Sequence, residues 1–380
     1  MNVLLTGAAG FVGSNLSDRL VESGMHVTGV DNLITGRVAN IEHLLDHPSF
    51  HFVQGDACDV ALPDERWDAI LHFASPASPP KYQAYPLQTM RINSIGTQRL
   101  LDLACAHEAR FLLASTSEVY GDAEEHPQRE SYWGNVNPIG PRSVYDESKR
   151  YAECLVSAYH RRLGLRSCIV RIFNTYGPRM DPGDGRVVSN FITRALAHQA
   201  LEVYGEGRQT RSFQYIDDLV TAVLRCLEGC HAGPINLGNP HEVTVLELAE
   251  QVIQLTNSRA TIEYLPIPED DPVRRKPDIS LAREVLQWAP AVPLRQGLQR
   301  TIDYFAGGGA GAAAAEIARN DNDNDNDNDN DKAKAKAKAK ARANGDIVAR
   351  DQFIDGTRAA SGPRAAPRIA GGRRGQGGER

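Results

Sequence analysis

The chain has 380 residues, 41% of them hydrophobic, which is enough for a sizeable core in one large domain or two intimate ones. A formal net charge of −6 argues against a general nucleic-acid surface. No apolar run reaches the roughly 18 residues a membrane helix needs, and MNVLLTG starts on a strand without a basic leader, so a cytoplasmic chain is expected. The six cysteines are scattered without a C-x-x-C pair, which reads as free thiols in a reducing compartment and predicts no metal site.

A short apolar run, Val3-Leu4-Leu5, leads directly into a G-x-x-G-x-x-G turn at Gly7, Gly10 and Gly13, with Phe11 and Val12 opening a helix. Strand, glycine turn and helix in that order suit a dinucleotide, whose pyrophosphate sits on the free N–H groups of the helix start. A second strand, His26–Val30, ends in Asp31-Asn32. A carboxylate about 20 residues past the glycines accepts from an adenosine ribose and repels a 2′-phosphate, so Asp31 predicts NAD over NADP. Asn32, Leu33, Thr35 and Gly36 in the turn that follows are counted with it as cofactor contacts.

The third predicted strand, Phe50–Val53, delivers Asp56 and Ala57 towards the adenine. The fourth, Asp68–Ser75, ends in residues suited to close passage beneath the cofactor, with Phe73 and Ser75 as contacts. A helix is expected over about 86–107, and the fifth strand, Arg110–Ser115, carries Ala114 and delivers Thr116, Ser117 and Glu118 at its carboxyl end. Ligands of open α/β sheets bind at that end. Tyr145 and Lys149 lie four apart, hence on one face of a helix. A nearby ammonium favours phenolate, so the pair predicts a general base acting on a sugar or alcohol hydroxyl. A sixth strand, Ser167–Phe173, runs into Asn174 and Thr175, the latter a further cofactor contact.

Alternating strands and helices specify an α/β, Rossmann-type doubly wound parallel sheet. The expected organisation is an NAD-binding domain over 1–180 and a smaller, interleaved substrate lobe over 181–305. Residues 306–380 pass from Gly/Ala through Asn-Asp and Lys-Ala repeats to an Arg/Gly-rich end, a composition expected to be a disordered tail.

Several segments carry a sharper signal: HFASPASPPKYQ (72–83), STSEVYGD (115–122), YWGNVNPIGPRSVYDESKR (132–150), RIFNTYGPRM (171–180), VYGEGRQTRSFQYIDDLV (203–220) and RRKPDI (274–279). With these the chain resembles the extended short-chain dehydrogenase/reductase family of sugar-nucleotide enzymes, and within it the branch that decarboxylates UDP-glucuronate, over about residues 1–305. The resemblance implies that Tyr145 deprotonates the sugar C4 hydroxyl while NAD takes the hydride. Lys149 would hold the phenolate and the nicotinamide ribose, and Thr116 would steady the C4 oxygen. The resulting β-keto acid loses CO₂, with Ser117 and Glu118 acting near C5 and Arg275 as the cationic partner of the carboxylate. The substrate set it implies is completed by Arg91, Tyr159, Asn174, Arg186, Asn190, Tyr204, Gln209 and Arg211.

Phe73, Ile92 and Ser148 depart from the family pattern, where leucine, threonine and glycine are more usual. A nucleotide-sugar 4-epimerase or 4,6-dehydratase shares the first oxidation and is the alternative enzyme. The Glu118–Arg275 pair argues against plain epimerisation, and Ser117 against a dehydratase, which would use two acids there. A non-catalytic NAD-binding sensor or scaffold is the alternative of another class, and it has no need of Tyr145 and Lys149. Apolar faces on the helices near 86–107 and 145–163 predict a homodimer.

Overall fold

A computed structural model describes residues 1–229, 231–266 and 274–309. The tail expected from 306 onward therefore lies outside the described residues beyond Gly309, as does Cys230.

The organising element is a seven-stranded parallel sheet. Its first six strands in chain order are β1 (Asn2–Thr6), β2 (His26–Asp31), β3 (Phe50–Gln54), β4 (Ala69–His72), β5 (Arg110–Thr116) and β6 (Ser167–Ile172). The seventh, Pro234–Leu237, lies outside β6, giving the order Pro234–Leu237, β6, β5, β4, β1, β2, β3. The order reverses between β1 and β4, and the crevice at the carboxyl ends of these strands is where such sheets bind ligands.

Alternation along each strand sends side chains to two covered faces. From β1, Leu5 packs with Leu16 and Leu20 of the helix Phe11–Glu22. Its neighbour Leu4 packs on the other face with Leu100 and Leu101 of the helix Thr97–His107 and with Ala152 and Val156 of the long helix Ser143–Leu163. All of these except Leu100, at 1%, have no solvent exposure. At about 25 cal/mol per Å² of apolar surface, such two-sided burial is the main force fixing the sheet's register.

Three features differ from the sequence reading. The fourth strand stops at His72, because Phe73 N–H donates to Thr6 O and Ala74 N–H to the Thr6 hydroxyl, which turns the chain over the end of β1. The helix over 86–107 contains a π-helical turn, Ile92–Gly96, which inserts Asn93 fully buried beneath the long helix. The seventh strand was not anticipated, since four residues are too few for periodicity to show.

Beyond residue 180 the chain adds a three-stranded sheet, in the order Glu242–Thr244, Thr210–Ser212, Arg274–Arg275. Parallel register sets Arg275 opposite Arg211, so two cations distant in sequence become neighbours. A parallel pair, Leu201–Tyr204 with Ile262–Leu265, completes this region.

Candidate active site

The glycine turn is built for close approach. Gly7 has φ +78°, and a Cβ there would sit 2.8 Å from Ala74 N, while one on Gly13 would sit 1.9 Å from Gly7 O. The helix that starts at Phe11 has no side-chain cap, leaving its N–H groups for an anion. Asp31 is 8% exposed and accepts from Ala9 N–H at 3.0 Å and Leu33 N–H at 2.8 Å. A cradle that side chains would fill, an uncapped helix start and an anchored carboxylate together fit a dinucleotide such as NAD.

The cradle opens into a cleft of about 740 Å³ that continues over β5 into the second region. At its centre are Thr116, on the last residue of β5, and Tyr145 and Lys149 on the long helix. Tyr145 is 5% exposed and Lys149 2% exposed. The Tyr82 ring lies against Tyr145, with centroids 5.2 Å apart and planes 4° apart, and fixes the phenol's orientation. Lys149 Nζ donates to Ala114 O at 2.9 Å and stands 5.9 Å from the Tyr145 ring centre.

The phenolate expected from the sequence is not what the folded chain produces unaided. Burial pushes the Tyr145 phenol well above its ordinary value, and a hydrogen bond with Thr116 offsets only part of that. Burial also brings Lys149 down to about 7. Desolvation dominates, and the ammonium is tied to the Ala114 carbonyl of β5.

Glu118 lies just past Thr116, and its N–H donates to the Thr116 hydroxyl at 3.2 Å. Two guanidiniums meet its Oε2, Arg142 Nη2 at 2.6 Å and Arg275 Nη2 at 3.3 Å. Burial alone would raise this carboxyl, but Arg275 and Arg142, with Arg211 behind them, overcome it and hold Glu118 at about 2. Arg275 is 2% exposed and also donates to Ser117 O at 2.9 Å. Asp146, one residue past Tyr145, is 5% exposed with no hydrogen-bond partner for Oδ1. Burial first, then the Glu118 charge, lift it to about 7.

Residues 4–301 match the family described as GDP-mannose 4,6 dehydratase. The chain is 52% identical over 304 residues to UDP-glucuronic acid decarboxylase 1 of Danio rerio, covering 80% of this chain and 72% of that protein. It is 53% identical over 305 residues to UDP-glucuronic acid decarboxylase 4 of Arabidopsis thaliana, covering 80% and 68%. The chain belongs to the extended short-chain dehydrogenase/reductase family, in the group of the UDP-glucuronic acid decarboxylases. Among solved structures, UDP-glucuronic acid 4-epimerase from Bacillus cereus, in complex with UDP-glucuronic acid and NAD, superposes with TM-score 0.73 at 30% identity, covering 80% of this chain and 99% of that one. UDP-glucose 4-epimerase from Thermotoga maritima, with UDP-glucose, gives 0.75 at 30% identity with the same coverage.

Within this dehydrogenase/reductase frame, the residues singled out from the sequence divide cleanly. The cradle brings Gly7, Gly10, Phe11, Val12 and Gly13 to the cleft wall together with Asp31, Asn32 and Thr35, and then Asp56, Ala57, Phe73, Ser75, Ala114 and Thr175. The wall also includes Asn174, Arg186, Asn190, Tyr204, Gln209 and Arg211, besides Ser117, Glu118 and Arg275. Leu33 and Gly36 stand behind it: Leu33 N–H binds Asp31, and a Cβ on Gly36 would meet both Asp31 oxygens at 2.8 Å. Arg91 is not on the cleft wall but in a surface ion pair with Asp59 at 2.8 Å. Tyr159 is also away from the wall, its hydroxyl donating to Asp102 at 2.5 Å. The length of the long helix separates Tyr159 from Tyr145, about 1.5 Å per residue over fourteen residues.

Sequence reasoning missed Tyr82, Arg142, Asp146 and Asn93. Asn93 donates to the hydroxyls of Ser75 at 3.1 Å and Ser148 at 3.0 Å. Ser148 in turn donates to Tyr145 O at 3.0 Å. The departure from glycine at 148 therefore supplies a buried link between the cofactor loop and the catalytic helix. The signals for these residues were weak, namely an aromatic in SPPKYQ, one arginine before a helix and an acid in its first turn.

Proposed function

We propose that this chain converts UDP-glucuronate to UDP-xylose and CO₂, with NAD as a recycled cofactor, in the way its decarboxylase relatives are named for. The observation that carries the reading is one cleft in which Tyr145 and Thr116 adjoin a Glu118 carboxylate gripped by guanidiniums. NAD, when bound, supplies the acceptor and later the donor of the C4 hydride. Tyr145 would take the C4 hydroxyl proton as a phenolate, an ionisation that burial opposes in the unliganded chain and that the positive charge of a bound nicotinamide ring, with Lys149 nearby and the Thr116 hydrogen bond, would favour. Thr116 also donates to the C4 oxygen as it becomes a carbonyl. With the ketone at C4, the C5–C6 bond electrons pass into an enolate, CO₂ leaves, and C5 takes up one proton. Ser117 and Glu118 border that position. Tyr145 returns its proton when C4 is reduced.

Proton NMR of UDP-glucuronate with the protein and catalytic NAD in D₂O tests this. UDP-xylose carrying deuterium at C5 is expected. UDP-galacturonate in its place would make the chain a 4-epimerase, and an unchanged substrate would overturn the reading.

The same reading includes a cytoplasmic homodimer. Leu87, Met90, Ile95 and Tyr151, between 49% and 75% exposed, lie on the two packed helices that would pair. A monomer by light scattering at micromolar concentration would count against it. No helix among the described residues is long and apolar enough to cross a membrane.

A further inference from the structure

After β6 the chain passes through residues 178–186 before the helix Val187–Leu196 begins, and this passage is held to three separate pieces of the cofactor cradle. On the helix that starts at Phe11, Asn15 donates to Pro178 O at 3.3 Å, and the Arg186 guanidinium stands 5.9 Å from the Phe11 ring centre. Against the helix Pro79–Ala84, Gly185 packs so closely that a Cβ there would meet Pro80 Cγ at 2.8 Å. In the turn after β2, Arg37 Nη2 donates to Asp181 Oδ1 at 2.9 Å, and Arg37 N–H is itself anchored on Ala9 O of the glycine turn at 3.0 Å.

Asp181 is where these attachments converge. Its other oxygen, Oδ2, lies 3.5 Å from Lys81 Nζ, on the helix Pro79–Ala84. Its Oδ1 also accepts from Gly183 N–H at 3.0 Å, which sets the local turn. Arg37, Lys81 and Asp181 all line the cleft. A dinucleotide's pyrophosphate belongs at the start of the Phe11 helix. A segment tied to that helix, to the turn after Asp31 and to the helix of Lys81 therefore crosses the way out of the cradle.

We propose that Asp181 is a cofactor-retaining residue: its carboxylate, by bridging Arg37 and Lys81, fastens residues 178–186 as a strap across the cradle and slows the release of NAD and NADH. Retention itself concerns the cofactor alone; its consequence for the products rests on the UDP-glucuronate reading. There one cofactor molecule must receive a hydride from C4 and give it back, so NADH that left between the two transfers would strand a UDP-4-ketopentose. Charge alone argues for the reverse effect. Asp181 sets a negative charge in the cleft that receives a pyrophosphate, and it occupies two cations suited to phosphates, so its neutralisation would on that account slow release. Only a carboxylate whose main work is to hold the strap gives faster release when neutralised. The sign of the change decides between the two.

In the test, the full-length protein is loaded with NADH and mixed with excess NAD, with no sugar present, and the loss of bound NADH fluorescence gives the release rate. Asp181→Asn, which keeps an acceptor for Gly183 N–H, should release NADH about 3- to 10-fold faster, the scale of two partly exposed ion pairs. Asp181→Glu, which keeps the charge, should stay within about twofold of the parent. Between about 0.05 and about 0.5 M NaCl the parent should approach the Asp181→Asn rate, because such pairs are screened. Unchanged or slower release in Asp181→Asn overturns the proposal, as does a ratio that salt fails to narrow. With UDP-glucuronate added, Asp181→Asn should form more UDP-4-ketopentose and free NADH per UDP-xylose than the parent does. A parent that leaves UDP-glucuronate unchanged speaks against that substrate, while the release rates, measured without sugar, still judge the strap.

Discussion

Asp146→Asn should make the protein more stable in base than in acid, relative to the parent. The Asp146 side chain is 5% exposed, and its Oδ1 has no partner. Burial, then Glu118, raise it from 3.8 to about 7, and Arg142 and Arg275 offset only part of this. A carboxyl whose folded value lies above its unfolded value contributes fully below the unfolded value and loses that contribution as pH rises through the folded one. The relevant window is thus about 3.8 to 7. Three units at 1.36 kcal/mol each amount to about 4 kcal/mol, of which roughly 2–3 kcal/mol falls between pH 5 and 8.5. Asparagine keeps the shape and never ionises. Urea unfolding of both proteins at pH 5 and at pH 8.5 measures the gap, and Asp146→Asn should gain about 2–3 kcal/mol on the parent across that interval. A gap that does not change with pH would show that Asp146 is not a buried carboxyl forced to ionise, and the reasoning would fail.

Ser148→Ala should destabilise the protein by about 1–2 kcal/mol, because it leaves Asn93 Nδ2 one acceptor short in a dry setting; denaturation showing no loss would mean that water replaces the hydroxyl. Tyr145→Phe should lower turnover by about 10²-fold or more with NAD affinity preserved, as a general base acting on substrate requires. Equal turnover in single-turnover assays would remove Tyr145 from that role. Asp31→Asn should weaken NAD and narrow its advantage over NADP by about tenfold in fluorescence titration, since the charge that repels a 2′-phosphate is gone. An unchanged ratio would place the ribose elsewhere.

The parallel sheet was legible because β1, β4, β5 and β6 each hold a short apolar run ending in small or polar residues, and the glycine turn marks its first crossover. The seventh strand was not, since its place beside β6 depends on a long return of the chain rather than on its own four residues. Tyr145 and Lys149 announced themselves by spacing. Arg142 did not, because one arginine before a helix carries no pattern, and its meaning depends on Glu118, 24 residues earlier. Asp146 was hidden for a similar reason. An acid in a first helical turn usually faces water and favours the helix dipole, and only packing shows that this one is enclosed. Arg91 has the right chemistry for a diphosphate, and in the unliganded chain it stands in ion pairs with Asp56 and Asp59.

Two half-reactions occupy one cleft here, and the fold separates what controls them. Thr116, Tyr145 and Lys149 belong to β5 and to the helix packed on it, so on the proposed reading the dinucleotide sheet would set oxidation at C4. Glu118 hangs from the same backbone turn, fixed to Thr116 through its own N–H, and this fixes the distance from the C4 locus to the carboxylate locus. Its charge depends on Arg275, which arrives on a two-residue strand paired with Thr210–Ser212 in the second region. Displacement of that strand would weaken the hold on the Glu118 charge but leave Arg142, at 2.6 Å, on the same oxygen. Relatives with the same sheet and different chemistry at C5 and C6 can thus differ at Arg142, Arg275 and their supports while keeping the tyrosine and lysine in place.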